Sequence, residues 1–311
     1  MKIAVDTFHR TGLWIKRNAR PLEAARWGYY FENTSSEQVI HYLSAFQNDD
    51  GGFGHGIEPD FWLPLSSPMA TWAAGQVLME IGADPEEEVV QSMLTYLANS
   101  VDEKTGMWSA VLPENNDYPH APWWHWQEGV QQNWLFNPGA ELAGFLVHWS
   151  PEGSEYASIG WRAAEKAVEH VMESTEMDFH QVSNFQQLLK IMLNHQVKFD
   201  TTMPNSFNEV MNKVMNLTDD CIEKDESEWA TGYKPLPLDL IDDQEHPLFE
   251  KYRDLIEENI EFYVEQMTED GIWNIPWEWG TYPEKFPVAE RYWQGILAVN
   301  RYKVLRAFGS V

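Results

Sequence analysis

The chain runs as stretches with apolar residues at helical spacing, broken by short clusters of glycine, proline and acid. SEQVIHYLSAF places Val39, Ile40, Leu43 and Phe46 three or four residues apart, the signature of one buried helix face. Residues 5–33 read as two helices. Phe8, Leu13, Trp14 and Ile15 begin an apolar stripe in the first, and Pro21 opens the second; Thr34, Ser35 and Ser36 cap the third. Residues 67–82 and 86–100 form a helical pair. Ser67 is its cap, Pro68 its first-turn proline, Gly82-Ala83-Asp84-Pro85 its joint, and Pro85 falls early in the second helix. Asn137-Pro138 repeats the cap-plus-proline scheme ahead of GAELAGFLVHW. Helices follow at about 154–175, 178–196 and 205–217. Pro235, Pro237 and Pro247 forbid a long helix in the acidic stretch 218–247. LFEKYRDLIEENIEFYVEQM and VAERYWQGILAVNRYKVLRAF are the last two helices, the second stopped by Gly309. Alternating β patterns are absent, so the pattern predicts an all-α fold of about eleven or twelve helices.

The breaks are themselves patterned. FQNDDGGFGHGIEPDFWLPLSSP, residues 46–68, packs Asp49, Asp50, His55, Glu58 and Asp60 among four glycines, which marks a tight irregular loop. VDEKTGMWSA echoes it, with Gly106 and Trp108 in the places of Gly52 and Phe53, and VEQMTEDGIW, residues 264–273, echoes it again. Each copy is a helix, an acidic turn, a glycine and an aromatic, which suggests helical hairpins in irregular repetition. The longest stretch without helical character is 109–136, with Trp123, Trp124, Trp126, Trp134, His120, His125 and Glu128. A long ordered loop of that kind is functional or a packed lid.

Composition narrows the picture. The 311 residues allow one large domain, and 43% hydrophobic and 14% aromatic content fills a substantial core. No apolar run approaches the roughly 20 residues of a membrane helix, and the start lacks the apolar core of a signal peptide. A single cysteine, Cys221, excludes an internal disulfide and fits a reducing, cytoplasmic setting. The net charge of −28 argues against a nucleic-acid partner.

A helix, then QNDDGGFG, then a short loop, then SxPxATxAAxQVL resembles the repeat of terpenoid cyclases and protein prenyltransferase β-subunits. The whole chain also resembles a group of bacterial proteins of this length. The resemblance implies one α/α-toroid domain over residues 1–311, with helical hairpins closed into a ring and loops gathered around a cavity. It implies a reaction started by a carboxylic acid on a polyprenoid. The chain departs from the family in its acid motif: Asp-x-Asp-Asp is absent, and Asp239-Leu240-Ile241-Asp242-Asp243 has a different spacing. Asp219-Asp220-Cys221-Ile222-Glu223 matches Asp-Asp-x-x-Asp/Glu in form. Asp219-x-Cys221 with the distant His246 has the opening spacing of the prenyltransferase zinc set, without its surrounding residues and with Cys221 in a loop. No metal and no cofactor is expected.

Three loops rich in carboxylate and tryptophan, 47–65, 113–136 and 270–287, supply the candidate site. Carboxyls beside tryptophan in a dry pocket serve as general acids. Glu58 and Asp60 come first, then Asp50, His55 and Glu278; Glu290 and Arg291 open the last helix and are expected to pair, either as a structural contact, the commoner use, or as one that orients the site. Trp62, Trp123, Trp124, Trp126, Trp277, Trp279 and Trp293 are the candidate walls for a small apolar or sugar substrate. For Asp49, Asp50 and His55, bracing of the glycine turn is the commoner use of such residues. Two other readings fit the same residues. One is a carbohydrate-active enzyme with paired carboxylates and tryptophan platforms; the other is a toroid that binds a ligand without chemistry.

Overall fold

The computed structural model describes residues 2–311, the side chain of Asn133 excepted. The fold is all-α. The only β-type pairings among the described residues are isolated bridges at Gln47–Phe53, Phe53–Ser67 and Phe61–His120. The helices are α1 (Val5–Asn18), α2 (Pro21–Phe31), α3 (Ser36–Leu43), α4 (Pro68–Glu80), α5 (Glu88–Asn99), α6 (Gln131–Trp134) and α7 (Gly139–Trp149). They continue as α8 (Glu155–Glu173), α9 (Phe179–Leu193), α10 (Gln196–Thr202), α11 (Phe207–Cys221), α12 (Pro237–Leu240), α13 (Phe249–Glu265) and α14 (Phe286–Ala307). No helix is long and apolar enough to cross a membrane among the described residues.

The chain packs as two compact units, Met1–Leu43 with Ile222–Val311, and Ser44–Cys221. In the first unit, α1, α2 and α14 pack on one another, α3 packs on α2, and α12 on α13. Their core is aromatic. Trp27 lies 5.1 Å from Phe8, 4.5 Å from Phe31 and 5.2 Å from Tyr302, and Tyr302 continues to Trp273 at 5.6 Å. In the second unit, α7 is the central post, with α4, α5, α8 and α9 against it. Every residue of α7 except His148 is buried. A helix apolar all round belongs in a core. Small residues bring its neighbours close: Gly75 of α4 faces Phe145, and Gly160 of α8 faces Leu146 and the carbonyl of Ala143.

The helix ends follow local chemistry. Ser67 caps α4, its hydroxyl accepting from the Ala70 amide with Pro68 in the first turn. Gly309, at φ +74°, ends α14; its amide donates to the Arg306 carbonyl and the Ser310 amide to that of Leu305, a Schellman stop. Some ends differ from the sequence reading. Pro85 lies in the turn ahead of α5, which starts only at Glu88 after a further run of acids. Asn137 does not cap α7; its side-chain oxygen accepts from Asn184 of α9 at 3.0 Å. Cys221 is the last residue of α11, not a loop residue, because the helix runs past Leu217 with Thr218 still facing the core.

The three echoed breaks share one bonding scheme, the second of them in a turn one residue longer. The Asn48 amide donates to the Gly52 carbonyl and the Gly51 amide to that of Asn48. Asp102 pairs with Met107 and Gly106 in the same two bonds, and so does Thr268 with Ile272 and Gly271. Gly51, Gly106 and Gly271 have φ of +88°, +65° and +79°, where a side chain is strained. The next residue but one is a fully buried aromatic: Phe53, Trp108 or Trp273. Gly106 and Gly271 therefore correspond to Gly51, not Gly52. The two indoles each donate to a carbonyl near the end of the preceding helix, Trp108 to Leu97 at 2.9 Å and Trp273 to Tyr263 at 2.8 Å.

The motif makes a stability prediction. A methyl group on Gly51 would run into the Ser92 backbone carbonyl, whereas one on Gly82, also at positive φ, would meet nothing within 4 Å. Gly82→Ala should cost about 1 kcal/mol, for the left-handed backbone alone. Gly51→Ala should cost a further ~1–3 kcal/mol, for an overlap with backbone that cannot rotate away. Urea unfolding of both variants measures the difference; equal costs would contradict the turn geometry.

Candidate functional site

Two of the three acid- and tryptophan-bearing loops meet in the second unit. The Trp62 amide donates to the Pro119 carbonyl at 2.9 Å and the Ala121 amide to the Asp60 carbonyl at 2.7 Å, either side of the Phe61–His120 bridge. Phe61 meets Trp124 edge-on at 5.4 Å, and Trp124 packs on Trp134 at 4.8 Å. Asn116 staples the far end of the loop: its side-chain oxygen accepts from the Trp126 amide and its NH2 donates to the Trp126 carbonyl. The junction holds Glu58, Asp60 and His120 buried, Trp124 buried, Trp62 and Trp126 half-buried, and Trp123 exposed.

The individual groups have defined partners. Glu58 Oε2 accepts from the Asp60 amide at 2.7 Å, closing the Glu-Pro-Asp turn on itself. The Trp62 indole donates to the Pro59 carbonyl at 3.0 Å. Asp50 Oδ1 accepts from the Gly52 amide at 3.0 Å and the Ser66 hydroxyl at 2.6 Å, so this carboxylate braces the turn. His55 is exposed, and its Nε2 lies 2.9 Å from Asn48 Oδ1. His120 was not a candidate from sequence. Its Nδ1 sits 2.6 Å from the Tyr118 carbonyl, which only accepts, so Nδ1 carries the hydrogen. Its Nε2 then faces Nδ1 of His125 at 3.1 Å, with the rings stacked. One hydrogen bridges those two nitrogens.

The third loop belongs to the first unit. Trp277 meets Trp293 at 5.4 Å and Tyr233 at 5.2 Å, both edge-on. Both the Trp277 and Trp293 indole nitrogens are buried without an acceptor. Trp279 is fully buried beside Phe286 and Tyr282, a core side chain and not an open wall. Glu278 between them is exposed. Arg291 lies over the Trp14 ring at 5.3 Å; neighbours in a helix point apart, and no ion pair joins it to Glu290.

A further carboxyl stands out in the second unit. Glu141, in the first turn of α7, is only 3% exposed. Its Oε2 accepts from the Trp72 indole at 2.5 Å and from the Gln76 amide at 3.2 Å, one turn apart on α4. Burial pushes the Glu141 carboxyl up to about 8; the two hydrogen bonds and the charge of Lys190 pull the other way and lose. Trp72 and Gln76 are themselves half-buried, so the carboxyl lies beneath a partly open surface. The sequence did carry a signal here: Glu141 is the one acid in an otherwise apolar GAELAGFLVHW.

Among the described residues, no three or more His, Cys, Asp or Glu side chains are grouped so as to hold a metal ion. Fold and site define an all-helical protein with a repeated glycine–aromatic turn and a buried-acid junction. No protein-family model, no curated protein and no solved structure matches the chain.

Glu141 gives the molecule a pH dependence with a defined sign. Its folded-state value, about 8, lies above the ordinary 4.5, so the folded protein holds a proton that the unfolded chain releases. That contribution is complete below pH 4.5 and disappears as pH rises through about 8. Glu141→Gln keeps an acceptor for Trp72 and Gln76 and cannot ionise. Wild type should therefore lose stability relative to Glu141→Gln across that window. Denaturant midpoints at half-unit pH steps test it; parallel profiles would refute a neutral Glu141.

Proposed function

We propose that this protein is an α/α-toroid enzyme of the terpenoid cyclase and prenyltransferase type. It uses carboxyl groups to run carbocation chemistry on a polyprenoid. The observation that carries the reading is the docking of loop 57–62 on loop 118–126. It brings two buried acids, Glu58 and Asp60, into one junction with the Phe61, Trp124 and Trp134 rings. Aromatic faces attract a cation, by about 0.5–2 kcal/mol each when water is excluded, and the acids supply the acid–base function. The thrice-repeated turn supports the scaffold, since it makes each helix exit in the same way, as stacked hairpins require.

A second reading has its own support. Asp50, His55 and Glu58 all bond within the loop that carries them, as they would in a toroid that binds a ligand without transforming it.

Incubation with linear C15 to C35 polyprenoids, followed by gas chromatography and mass spectrometry, separates the two. The enzyme reading expects a cyclised or isomerised hydrocarbon, and Asp60→Asn should lower its yield by about 100-fold, the usual size of an acid–base contribution. Saturable binding with no product selects the binding reading. Neither binding nor product would sink both.

A further inference from the structure

We propose that the first unit carries a ligand site of its own. It is a cavity between α1 and α2 that takes a neutral aromatic molecule of one or two rings bearing a hydrogen-bond acceptor. None of the residues assigned to the reaction above lines it, so the proposal stands apart from the enzyme reading.

The cavity measures about 270 Å³. That is more than the roughly 150 Å³ that holds a benzene and just under the ~300 Å³ at which drug-sized sites begin. Phe8, Gly12 and Leu13 of α1 and Trp27 of α2 make its walls largely apolar. Leu13 is exposed, so the space opens to the outside. Lys16 and Glu32 also line it and pair with each other at 2.6 Å. Their charges cancel, and a neutral ligand leaves the pair intact.

Trp27 supplies the recognition. It is only 1% exposed, and its indole nitrogen makes no hydrogen bond with the described residues. An indole N–H buried to this degree normally has an acceptor. Unlike the indole nitrogens of Trp277 and Trp293, that of Trp27 is not sealed off. Gly12 explains the opening. A β-carbon at this position would lie 3.0 Å from Trp27 Nε1, so the missing side chain leaves the N–H a path into the cavity. Gly12 stands in the interior of α1, where glycine is a poor helix former and its presence calls for such a reason. The indole is fixed by Phe8, Phe31 and Tyr302, with ring centres 5.1, 4.5 and 5.2 Å away. A donor held still in an apolar wall selects an acceptor at little ordering cost. Ring edges and faces of Phe8 and Trp27 favour an aromatic body around that acceptor.

The test uses two probes of one shape, acetophenone and isopropenylbenzene, in which a =CH2 group replaces the carbonyl oxygen. Each is titrated into the isotope-labelled full chain while nuclear magnetic resonance follows the Trp27 indole N–H, identified by its loss in Trp27→Phe. Acetophenone should move this signal saturably. In Trp27→Phe the ratio of the two affinities should shift about fivefold toward the hydrocarbon, the worth of one hydrogen bond; comparing ratios cancels the probes' different hydrophobicity. Gly12→Ala should weaken acetophenone about tenfold or more, by filling the space beside Nε1. Circular dichroism and urea midpoints certify both folds. If Trp27→Phe does not fold, the indole signal displaced most by Gly12→Ala serves as the marker and that variant decides. An unmoved Trp27 signal overturns the proposal, as does full-strength binding to Gly12→Ala or an unchanged ratio in Trp27→Phe. A signal that shifts on concentrating the protein alone also overturns it, because a second copy of the chain then covers the cavity.

Discussion

The structure depends on a two-bond turn that seats an aromatic side chain. In each copy an amide and a carbonyl of one residue are both satisfied across the break, and the left-handed glycine between them lets the chain reverse. The aromatic that follows is driven into the core by area alone, since a fully buried ring of this size contributes about 2–3 kcal/mol. Where it is tryptophan, its N–H also reaches a carbonyl near the end of the helix before the turn. That carbonyl has no partner inside its own helix. One residue therefore anchors the exit, and satisfies a helix end, in the same contact. Each break becomes a fixed joint rather than a slack linker.

Fixed joints allow the second unit to bury a helix on all sides. With α4, α5, α8 and α9 around it, α7 leaves only His148 exposed and has no other place in water for a polar side chain. An acid there must find donors on a neighbouring helix or remain unsolvated. Trp72 and Gln76, four residues apart, lie on one side of α4 and reach Glu141 together. The packing that makes α7 the post of this unit is thus also what keeps its single carboxyl neutral.

Much of this could be read from the chain, and the parts that could not have physical reasons. The Ser67–Pro68 start of α4 and the Gly309 stop of α14 are local: cap, proline and glycine act within one turn, so a window of residues decides them. The same signal misled at Asn137, because a buried partner, Asn184, 47 residues away, took the oxygen that a cap would have used. Pro85 misled because a proline that suits a first turn equally suits the turn before it. The repeated break was visible as glycine plus aromatic. Its register was not, since GG offers two candidate glycines and only the backbone angle distinguishes Gly51 from Gly52. Composition groups loops 47–65 and 113–136 as parts of one site, but the contact of His120 with His125 is not legible there: nothing in YPHAP states which way the ring turns.

Carboxylates suggest a site by their density in a sequence, and density is a poor guide because turns and active centres recruit the same residues. Asp50 and Glu58 lie in the densest acidic loop, and each accepts an amide only two residues ahead. Such a bond is made as soon as the local backbone folds, and it ties the carboxylate to the turn that carries it. Glu141 stands alone in its helix and meets donors 69 and 65 residues distant. Partners that far apart are brought together only by the completed packing, in a place where water is excluded and protonation is shifted. Sequence separation between a carboxyl and its donors thus distinguishes a turn brace from a carboxyl held by tertiary packing better than acid content does. By that measure Glu141 is the carboxyl whose surroundings the completed fold sets, and it is the one that composition hides.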